Sequence, residues 1–322
     1  MYKRIALSSL SFSLMLLLLA GCGGGDTGTT TASRLDLGIT DAPVDGADAV
    51  WVEFSEVVIQ PADGARINIL MEDVNGNPTP KSINLLDLQG GVRDMLLDGY
   101  ELPAGQYSWI RLMVNAEADG VLDSYIELPG PLQYELQVPS GSQTGLKINT
   151  GFEILEGDTN DYTIDFDLRK SVHQPNGQVG PLGPVYFLRP TLRLMKTATT
   201  GTISGTVDPV VFAGEACDGN TVGYAVYVFS GAGATSVDVN VNDQARNNPV
   251  TTAAISDDGN FTYTAAYLSE GTYTVAATCA ADLDDPELDN QPGNQEANPE
   301  VTFVGTADVN VTAGAETLHD IL

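Results

Sequence analysis

Basic residues, histidine and cysteine are all scarce in this sequence of 322 residues. It contains 14 lysines and arginines against 43 aspartates and glutamates, so its formal net charge is −29. Because nucleic-acid phosphates are bound by clustered lysine and arginine, this deficit excludes nucleic acid as a partner. It also argues against a surface that lies flat on anionic lipid headgroups. The excess of carboxylates is most simply an acidic, solvated surface.

The scarcity of histidine limits the chemistry that a catalytic or metal site can use. His173 and His319 lie far apart, and neither has a histidine or cysteine at the close spacing typical of zinc sites. Neither is accompanied by the Gly-x-Ser-x-Gly turn of a serine hydrolase, and no glycine-rich phosphate loop is present. Paired carboxylates that could cleave glycosides are so abundant that no single pair is informative.

Long apolar runs are absent after the first 20 residues, and no later run reaches the roughly 18 residues of a transmembrane helix. The first run, residues 13–20, follows Lys3 and Arg4 and leads into Leu19-Ala20-Gly21-Cys22. That pattern is the lipobox of bacterial lipoproteins, in which a short apolar helix and small residues precede the cleavage site. We therefore expect a signal peptide over residues 1–21 and a fatty-acylated Cys22 that anchors the protein in a membrane.

The residues after Cys22 indicate where the anchored protein lies. Removal of residues 1–21, which carry two basic residues and no acid, changes the formal net charge from −29 to −31. Gly23, rather than an aspartate, follows Cys22, and this favours the outer membrane. Residues 22–33 are rich in glycine and threonine and predict a flexible tether that could extend to roughly 35 Å.

Two cysteines remain after Cys22, namely Cys217 and Cys279. Exported proteins fold in an oxidising compartment, so the simplest expectation is one disulfide between them. It would close a loop of about 60 residues and stabilise the fold by roughly 4 kcal/mol. A reactive thiol is the alternative, which we disfavour because no histidine lies near either cysteine in the sequence.

The region from 34 to 195 alternates apolar and polar residues in several segments, among them residues 35–39, 107–114 and 162–168. Strict alternation is typical of half-buried strands, and glycine-containing turns separate the segments. Many short strands at this spacing predict an antiparallel β-sandwich. The one helical candidate is Leu85–Leu97, which Gly90-Gly91 interrupts and which we expect to cover an end of the sheets.

A polar linker, residues 196–201, leads into a second region from 202 to 322. Its predicted strands include residues 224–229, 261–265 and 272–279, again separated by turns. The sequence therefore predicts an all-β protein of two antiparallel β-sandwich domains, Ig-like or transthyretin-like, at 34–195 and 202–322.

Six segments of the first region resemble the bacterial domain-of-unknown-function family 4382. They are Leu35–Pro43, Asp48–Phe54, Asn84–Leu88, Leu102–Tyr107, Ile110–Leu112 and Tyr186–Pro190. The family is found on bacterial lipoproteins, often ahead of a second β domain. The resemblance implies no known activity and no assigned catalytic residue.

The second region resembles the carboxypeptidase-regulatory and transthyretin-like sandwiches. The similar segments are Gly201–Val207, Gly259–Phe261 and Gly271–Val275. The acidic insertion at 282–289 and the two cysteines are not typical of these sandwiches. The resemblance implies a structural or binding module without an enzyme site.

Two acidic clusters are candidate cation sites. In the first cluster, turn formation is a simpler role than calcium binding for Asp41, Asp45 and Asp48. In the second, crowded carboxylates repel one another unless a cation or solvent relieves them. Calcium is its candidate ligand, and a solvated loop is the alternative, because the spacing departs from the EF-hand pattern. The second cluster consists of Asp282, Asp284, Asp285, Glu287 and Asp289.

Four aromatic residues are candidates for binding glycan or protein, although for each we favour a place in the core: Trp51, Trp109, Tyr107 and Tyr125. The leading interpretation is a lipoprotein of the outer membrane, facing the periplasm or the outside. It would act as a non-enzymatic binding or scaffold module for an envelope or extracellular partner. The alternative is a carbohydrate-active hydrolase or its glycan-binding accessory protein.

Overall fold

Residues 31–322 form one compact unit that is built almost entirely of strands. In the described part of this unit, the one α-helix is a single turn, α1, at Leu168–Ser171. The predicted all-β sandwich class is confirmed, whereas the domain boundaries at 34–195 and 202–322 stay a prediction. The computed structural model describes residues 32–130, 132–138, 144–175, 177–213, 223–243, 245–287 and 301–322.

The strands between residues 33 and 196, the first half, fall into two large sheets. Sheet I has the order β16-β11-β1-β5. Sheet II has the order β10-β6-β2-β7-β8-β15-β12, with β3 and β4 paired to β2 and β9 paired to β6, while β13 and β14 form a separate hairpin. The strands are β1 Ser33–Ala42, β2 Ala49–Pro61, β3 Ile67–Leu70, β4 Lys81–Asn84, β5 Asp94–Leu102, β6 Gly105–Asn115, β7 Tyr125–Leu128, β8 Leu132–Gln137, β9 Leu146–Ile148, β10 Phe152–Ile154, β11 Thr159–Asp167, β12 Val172–His173, β13 Val179–Gly180, β14 Gly183–Pro184, β15 Tyr186–Leu188 and β16 Leu192–Lys196.

Apolar side chains from both sheets share one core. Leu35 and Leu37 of β1 in sheet I are fully buried, as are Ile110 and Leu112 of β6 in sheet II, and all four belong to the same cluster. Since successive side chains of a strand point to opposite faces, the alternation in the sequence places these residues on the inner faces. The two sheets therefore pack face to face as a sandwich.

The outward face of β11 is buried as well, which alternation alone does not predict. Thr163, Asp165 and Asp167 occupy the polar positions of this strand, yet all three are buried. Residues after 200 lie over this face, since Asp165 lines one cavity together with Thr251 and Thr264. Lys170, which follows β11, also donates through Nζ to the carbonyl oxygen of Pro249 at 2.6 Å.

The prediction of a helix over Leu85–Leu97 is wrong for the residues after the first turn. A 3-10 turn spans Leu85–Leu88, and the chain enters β5 at Asp94. Gly90 and Gly91 adopt φ values of 66° and 89°, which a right-handed helix cannot continue. The apolar residues that follow the glycines therefore belong to strand β5.

The strands after residue 199, the second half, form two smaller sheets with the orders β20-β17-β23 and β19-β18-β21-β22. No extended linker precedes them in the described chain, because a 3-10 turn at Thr197–Thr199 connects β16 directly to β17. The strands are β17 Thr200–Thr206, β18 Ala225–Ser230, β19 Thr251–Ala254, β20 Thr262–Ser269, β21 Gly271–Thr278, β22 Val304–Val311 and β23 Glu316–Leu318.

Arg169 in α1 joins the two halves through buried polar contacts. Its guanidinium forms an ion pair with Asp45, donates to the carbonyl oxygen of Ala281 at 2.7 Å, and lies 5.5 Å from the ring centroid of Tyr227. The hydroxyl of Tyr227 in turn donates to Asp284 at 2.7 Å. A buried cation is tolerated when carboxylates and hydrogen-bond acceptors surround it, so this network fixes the contact between the halves.

Candidate functional site

Several predicted site residues lie outside the described residues. They are Cys22, Cys217 and Asp289. Cys279, which is 8% exposed, is half of a disulfide. Its predicted pairing with Cys217 and the acylation of Cys22 stay predictions.

The described members of the second acidic cluster have separate protein contacts. Asp284 is buried and accepts from the hydroxyl of Tyr227 and the backbone N–H of Val239, while Glu287 forms an ion pair with Arg189. Burial raises the pKa of Asp284 to about 6, although Arg169 and the Tyr227 hydroxyl act to lower it. Asp285 accepts from the backbone N–H of Glu287 at 2.9 Å, as in a turn.

Asp282 and Asp285 line an open cleft of about 470 Å³ together with His173. The structure thus brings a histidine and two acids to one surface, which the sequence did not predict. Nevertheless, in the described ranges no three histidine, cysteine, aspartate or glutamate side chains are grouped closely enough to hold a metal ion. Calcium binding by residues 282–289 stays a prediction.

The first acidic cluster is dispersed in the fold. Asp41 is buried, Asp45 pairs with Arg169, and Asp48 is exposed. Burial, with the neighbouring charges of Asp165 and Asp167, raises the pKa of Asp41 well above its usual range. These three side chains therefore do not form a common cation cage.

The four candidate aromatics have different environments. Tyr107 is buried and donates to the carbonyl oxygen of Pro103 at 2.7 Å, which is a core position. Trp51 and Tyr125 stack on each other with ring centroids 6.3 Å apart and are half-buried. Trp109 is also half-buried, on the outer face of sheet II.

Trp109 shares this outer face with two cations. Ile110 and Leu112 of β6 point into the core, so Trp109 and Arg111 point outward. β9 pairs with β6 in a register that sets Lys147 directly opposite Arg111. The guanidinium carbon of Arg111 lies 5.1 Å from the Trp109 ring centroid, and Nζ of Lys147 lies 4.8 Å from it.

Arg111 and Lys147 form a cross-strand pair of like charges. Such a pair opposes folding, and the two cation–π contacts to Trp109, about 0.5–1 kcal/mol each at exposed sites, offset part of that cost. Nε of Arg111 is also buried without a hydrogen-bond partner among the described protein atoms. The arrangement thus holds two positive charges together, and neither forms an ion pair with a carboxylate of the described residues.

Most other cations of the protein are paired. Of the twelve lysines and arginines in the described chain, eight form ion pairs with carboxylates. The four that do not are Arg66, Arg111, Lys147 and Lys196.

Arg66 lies close to the same surface. In the register of β2 with β3, Ile59 pairs with Ile67, so the next position sets exposed Arg66 opposite Gln60 of β2. On its other side, Gln60 pairs with Trp109 of β6. We call the surface formed by Arg66, Trp109, Arg111 and Lys147 the basic patch. It concentrates positive charge on a protein that is otherwise strongly acidic, and it can attract an anionic group.

Comparison with known proteins gives one family match. Residues 32–182 match the model of a domain of unknown function, DUF4382. The match confirms the resemblance stated for the first region and covers slightly less than half of the chain. No curated protein matches the chain. The resemblance of residues 202–322 to transthyretin-like sandwiches stays a prediction.

Two solved structures similar to this chain are those of bacterial proteins. The Bacillus anthracis TIE protein is 13% identical over 90% of this chain, with a TM-score of 0.19, and the match spans 33% of that protein's chain. The minor pilin GBS52 of Streptococcus agalactiae is 10% identical over 89% of this chain and 94% of its own, with a TM-score of 0.19. TM-scores this low carry no argument about fold or function.

Among the described residues, no helix is long and apolar enough to cross a bilayer.

Proposed function

We propose that this protein is a non-enzymatic binding module of the bacterial envelope that holds an acidic polysaccharide. Acylated Cys22 anchors it in the outer membrane, and residues 22–33 are the tether that separates the folded sandwiches from the membrane surface. The basic patch is the binding surface, where carboxylate or sulfate groups of the polymer pair with Arg111 and Lys147.

The observation that carries this proposal is the pair of like charges held over Trp109. Arg111 and Lys147 lie 5.1 and 4.8 Å from the same ring, and neither has a carboxylate partner among the described residues. A chain that pairs most of its other cations leaves these two available. Anionic groups of a ligand would supply the missing partners.

The size of the patch favours a polysaccharide over an acidic protein. A stable protein interface covers about 800 Å² on each partner. Around the basic patch, an acidic protein of that footprint would meet the carboxylates of a chain whose net charge is −29. A single extended polymer strand can contact a narrow strip, so it meets the cations without covering the acidic surface around them.

Binding to alginate, a polymer of uronic acids, tests the proposal, with neutral dextran as the matched control polymer. We expect the full-length protein in detergent micelles to bind alginate and not to bind dextran. Titration calorimetry at low salt measures both. The double variant Arg111→Gln/Lys147→Gln should bind at least tenfold more weakly. Lys196→Gln removes a cation of sheet I that forms no ion pair with a described residue, and this variant should bind like the wild type. Equal affinity of the double variant and the wild type would overturn the proposal.

The anchor is tested separately. Cys22→Ser should prevent incorporation of labelled palmitate and move the protein from the membrane fraction to the soluble fraction. Continued membrane partitioning of this variant would overturn the anchoring part of the proposal without bearing on the basic patch.

A further inference from the structure

A groove of about 680 Å³ lies between the two sheets of the first half, at the side where β3 and β5 approach each other. One wall includes the consecutive residues 68–73, and the other includes residues 95–98. Because successive side chains of a strand point to opposite faces, a wall of consecutive residues is the edge of a strand rather than its face. We call this feature the edge groove.

Strand β3 presents an edge without a partner to this groove. In the described chain β3 pairs only with β2, and the backbone N–H of Met71 donates to the carbonyl oxygen of Ser55 at 3.0 Å in the same register. Bonded residues alternate in an antiparallel ladder, so Ile69 bonds to β2, whereas Asn68 and Leu70 direct their N–H and carbonyl groups to the other side. These backbone groups therefore face the edge groove, which the same residues line.

The opposite wall, the outer edge of β5, is already protected. Lys81 of β4 donates to the carboxylate of Asp94 at 2.7 Å and to the carbonyl oxygen of Met95 at 2.8 Å. Gly99 has a φ of 62° and donates to the carboxylate of Asp36 at 2.6 Å, where the register of β1 with β5 shifts. Bulges and lysines at an edge oppose the addition of a further strand. A strand that enters the groove therefore pairs with β3.

Apolar side chains lie on both walls of the groove. Ile69 and Met71 on one wall and Leu96 and Leu97 on the other are only 5–7% exposed and belong to the core of the first half. Leu70, between Ile69 and Met71, is 51% exposed. Apolar residues of a bound strand would therefore extend this core at the open side of the sandwich.

The charge of the groove is negative. Glu72, Asp73 and Asp98 line it, and none of them forms an ion pair with a described residue. Among the described residues of the lining, the one basic side chain is that of Lys81, which is paired with Asp94. Charge complementarity thus favours a ligand that carries lysine or arginine.

We propose that the edge groove binds an extended segment of a partner protein, in which apolar residues alternate with polar ones and basic residues lie at the ends. The segment pairs with β3 and adds a strand to sheet II, the mode of recognition in which main-chain hydrogen bonds supply affinity. Its inward apolar side chains contact Leu96 and Leu97, and its cations pair with Glu72 and Asp98. A second copy of this chain, with a net charge of −29, and residues 23–31, which contain no basic residue, both lack the complementary charge.

Titration of the full-length protein with heptapeptides tests this proposal. The probes have lysine at both ends and valine, leucine or phenylalanine at the second, fourth and sixth positions. One control set has glutamate at both ends, and a second set has methylated internal backbone nitrogens, which cannot donate to a strand edge. We expect at least one lysine peptide to bind and to slow hydrogen–deuterium exchange in residues 68–73, and neither control set to do so.

Three results of this titration would overturn the proposal. They are the absence of binding by every lysine peptide at millimolar concentration, equal binding of a control peptide, and protection of residues 68–73 by dimerisation of the protein without peptide. Sedimentation of the protein at several concentrations detects the dimer.

Variants of the groove locate the binding. Glu72→Lys/Asp98→Lys should weaken binding of the lysine peptides at least tenfold, whereas Asp63→Lys/Asp257→Lys changes the net charge equally in two exposed loops and should bind like the wild type. Leu70→Pro removes an N–H from the unpaired edge and should also weaken binding at least tenfold. If Leu70→Pro fails to fold, the charge variants still decide, because equal affinity of Glu72→Lys/Asp98→Lys and the wild type contradicts the proposal.

Discussion

Two buried carboxylates should make folding stability depend on pH. Burial raises the pKa of Asp284 from 3.8 to about 6 and raises the pKa of Asp41 well above its usual range. These groups ionise more readily in the unfolded chain than in the folded one. Their contribution to stability is therefore fully present at pH values below the pKa of the group in the unfolded chain. It is lost as the pH rises through the pKa of the group in the folded protein. For Asp284 this loss of stability occurs between about pH 4 and pH 6.

Asp284→Asn tests this effect of Asp284 alone. The wild type should lose up to about 3 kcal/mol of unfolding free energy between pH 3.5 and pH 7, because each unit of its pKa shift corresponds to about 1.4 kcal/mol. The variant lacks this carboxylate, so its unfolding free energy relative to the wild type should rise by the same amount. Urea unfolding across this pH range measures the difference. Val179→Ala, at an exposed residue that carries no titratable group, should give a difference that does not change with pH. If the difference for Asp284→Asn also does not change with pH, the claim that burial raises the pKa of Asp284 is contradicted.

At the scale of strands, the register of β6 with β9 creates the basic patch. Lys147→Glu turns the like-charge pair with Arg111 into an opposite-charge pair. We expect the variant to be more stable by about 0.5 kcal/mol, because replacing a like-charge pair with an opposite-charge pair stabilises the sheet by more than the loss of the contact between Lys147 and Trp109 destabilises it. The same change should weaken alginate binding at least tenfold.

Urea unfolding and calorimetry measure the two effects of Lys147→Glu. Lys196→Glu is the control, since Lys196 faces Tyr162 in the register of β16 with β11 and has no cation opposite. Loss of stability in Lys147→Glu, or retained binding, would show that the pair is not held for a ligand.

The positions of strands could be predicted from alternation because one face of each strand is buried. Leu35 and Leu37 and the inner residues of β6 are buried in the structure as the pattern predicts. Alternation does not show which strands pair. Among the described strands, three pairs are parallel: β1 with β11, β8 with β15 and β17 with β23. The helix expected at Leu85–Leu97 failed because the glycines at 90 and 91 adopt left-handed φ values.

The candidate site was only partly predictable. Trp109 was a candidate from its residue type, and the alternation of β6 could have placed Arg111 on the same face. The contribution of Lys147 depends on the register of β9 with β6, which joins residues 36 positions apart. Asp41 was expected to be a turn residue, but the structure buries it at the end of β1, opposite Phe166 of β11.

At the scale of the whole molecule, the two halves have a defined contact. Arg169 connects Asp45 of the first half with Ala281 and Tyr227 of the second. Arg189 and Glu287 add a further ion pair between the halves. Because these contacts are buried or partly buried, they join the two halves into one scaffold that carries the basic patch. The acidic net charge confines attraction for an anionic polymer to the patch.

Hydrogen–deuterium exchange of the full-length protein with and without alginate tests the central claim most directly, because it locates the bound polymer on the chain. We predict that alginate slows exchange in β6, residues 105–115, and in β9, residues 146–148, and leaves β18 and β21 unchanged. Slower exchange that is confined to other segments, or no change in β6 and β9 when alginate is bound, would contradict the account.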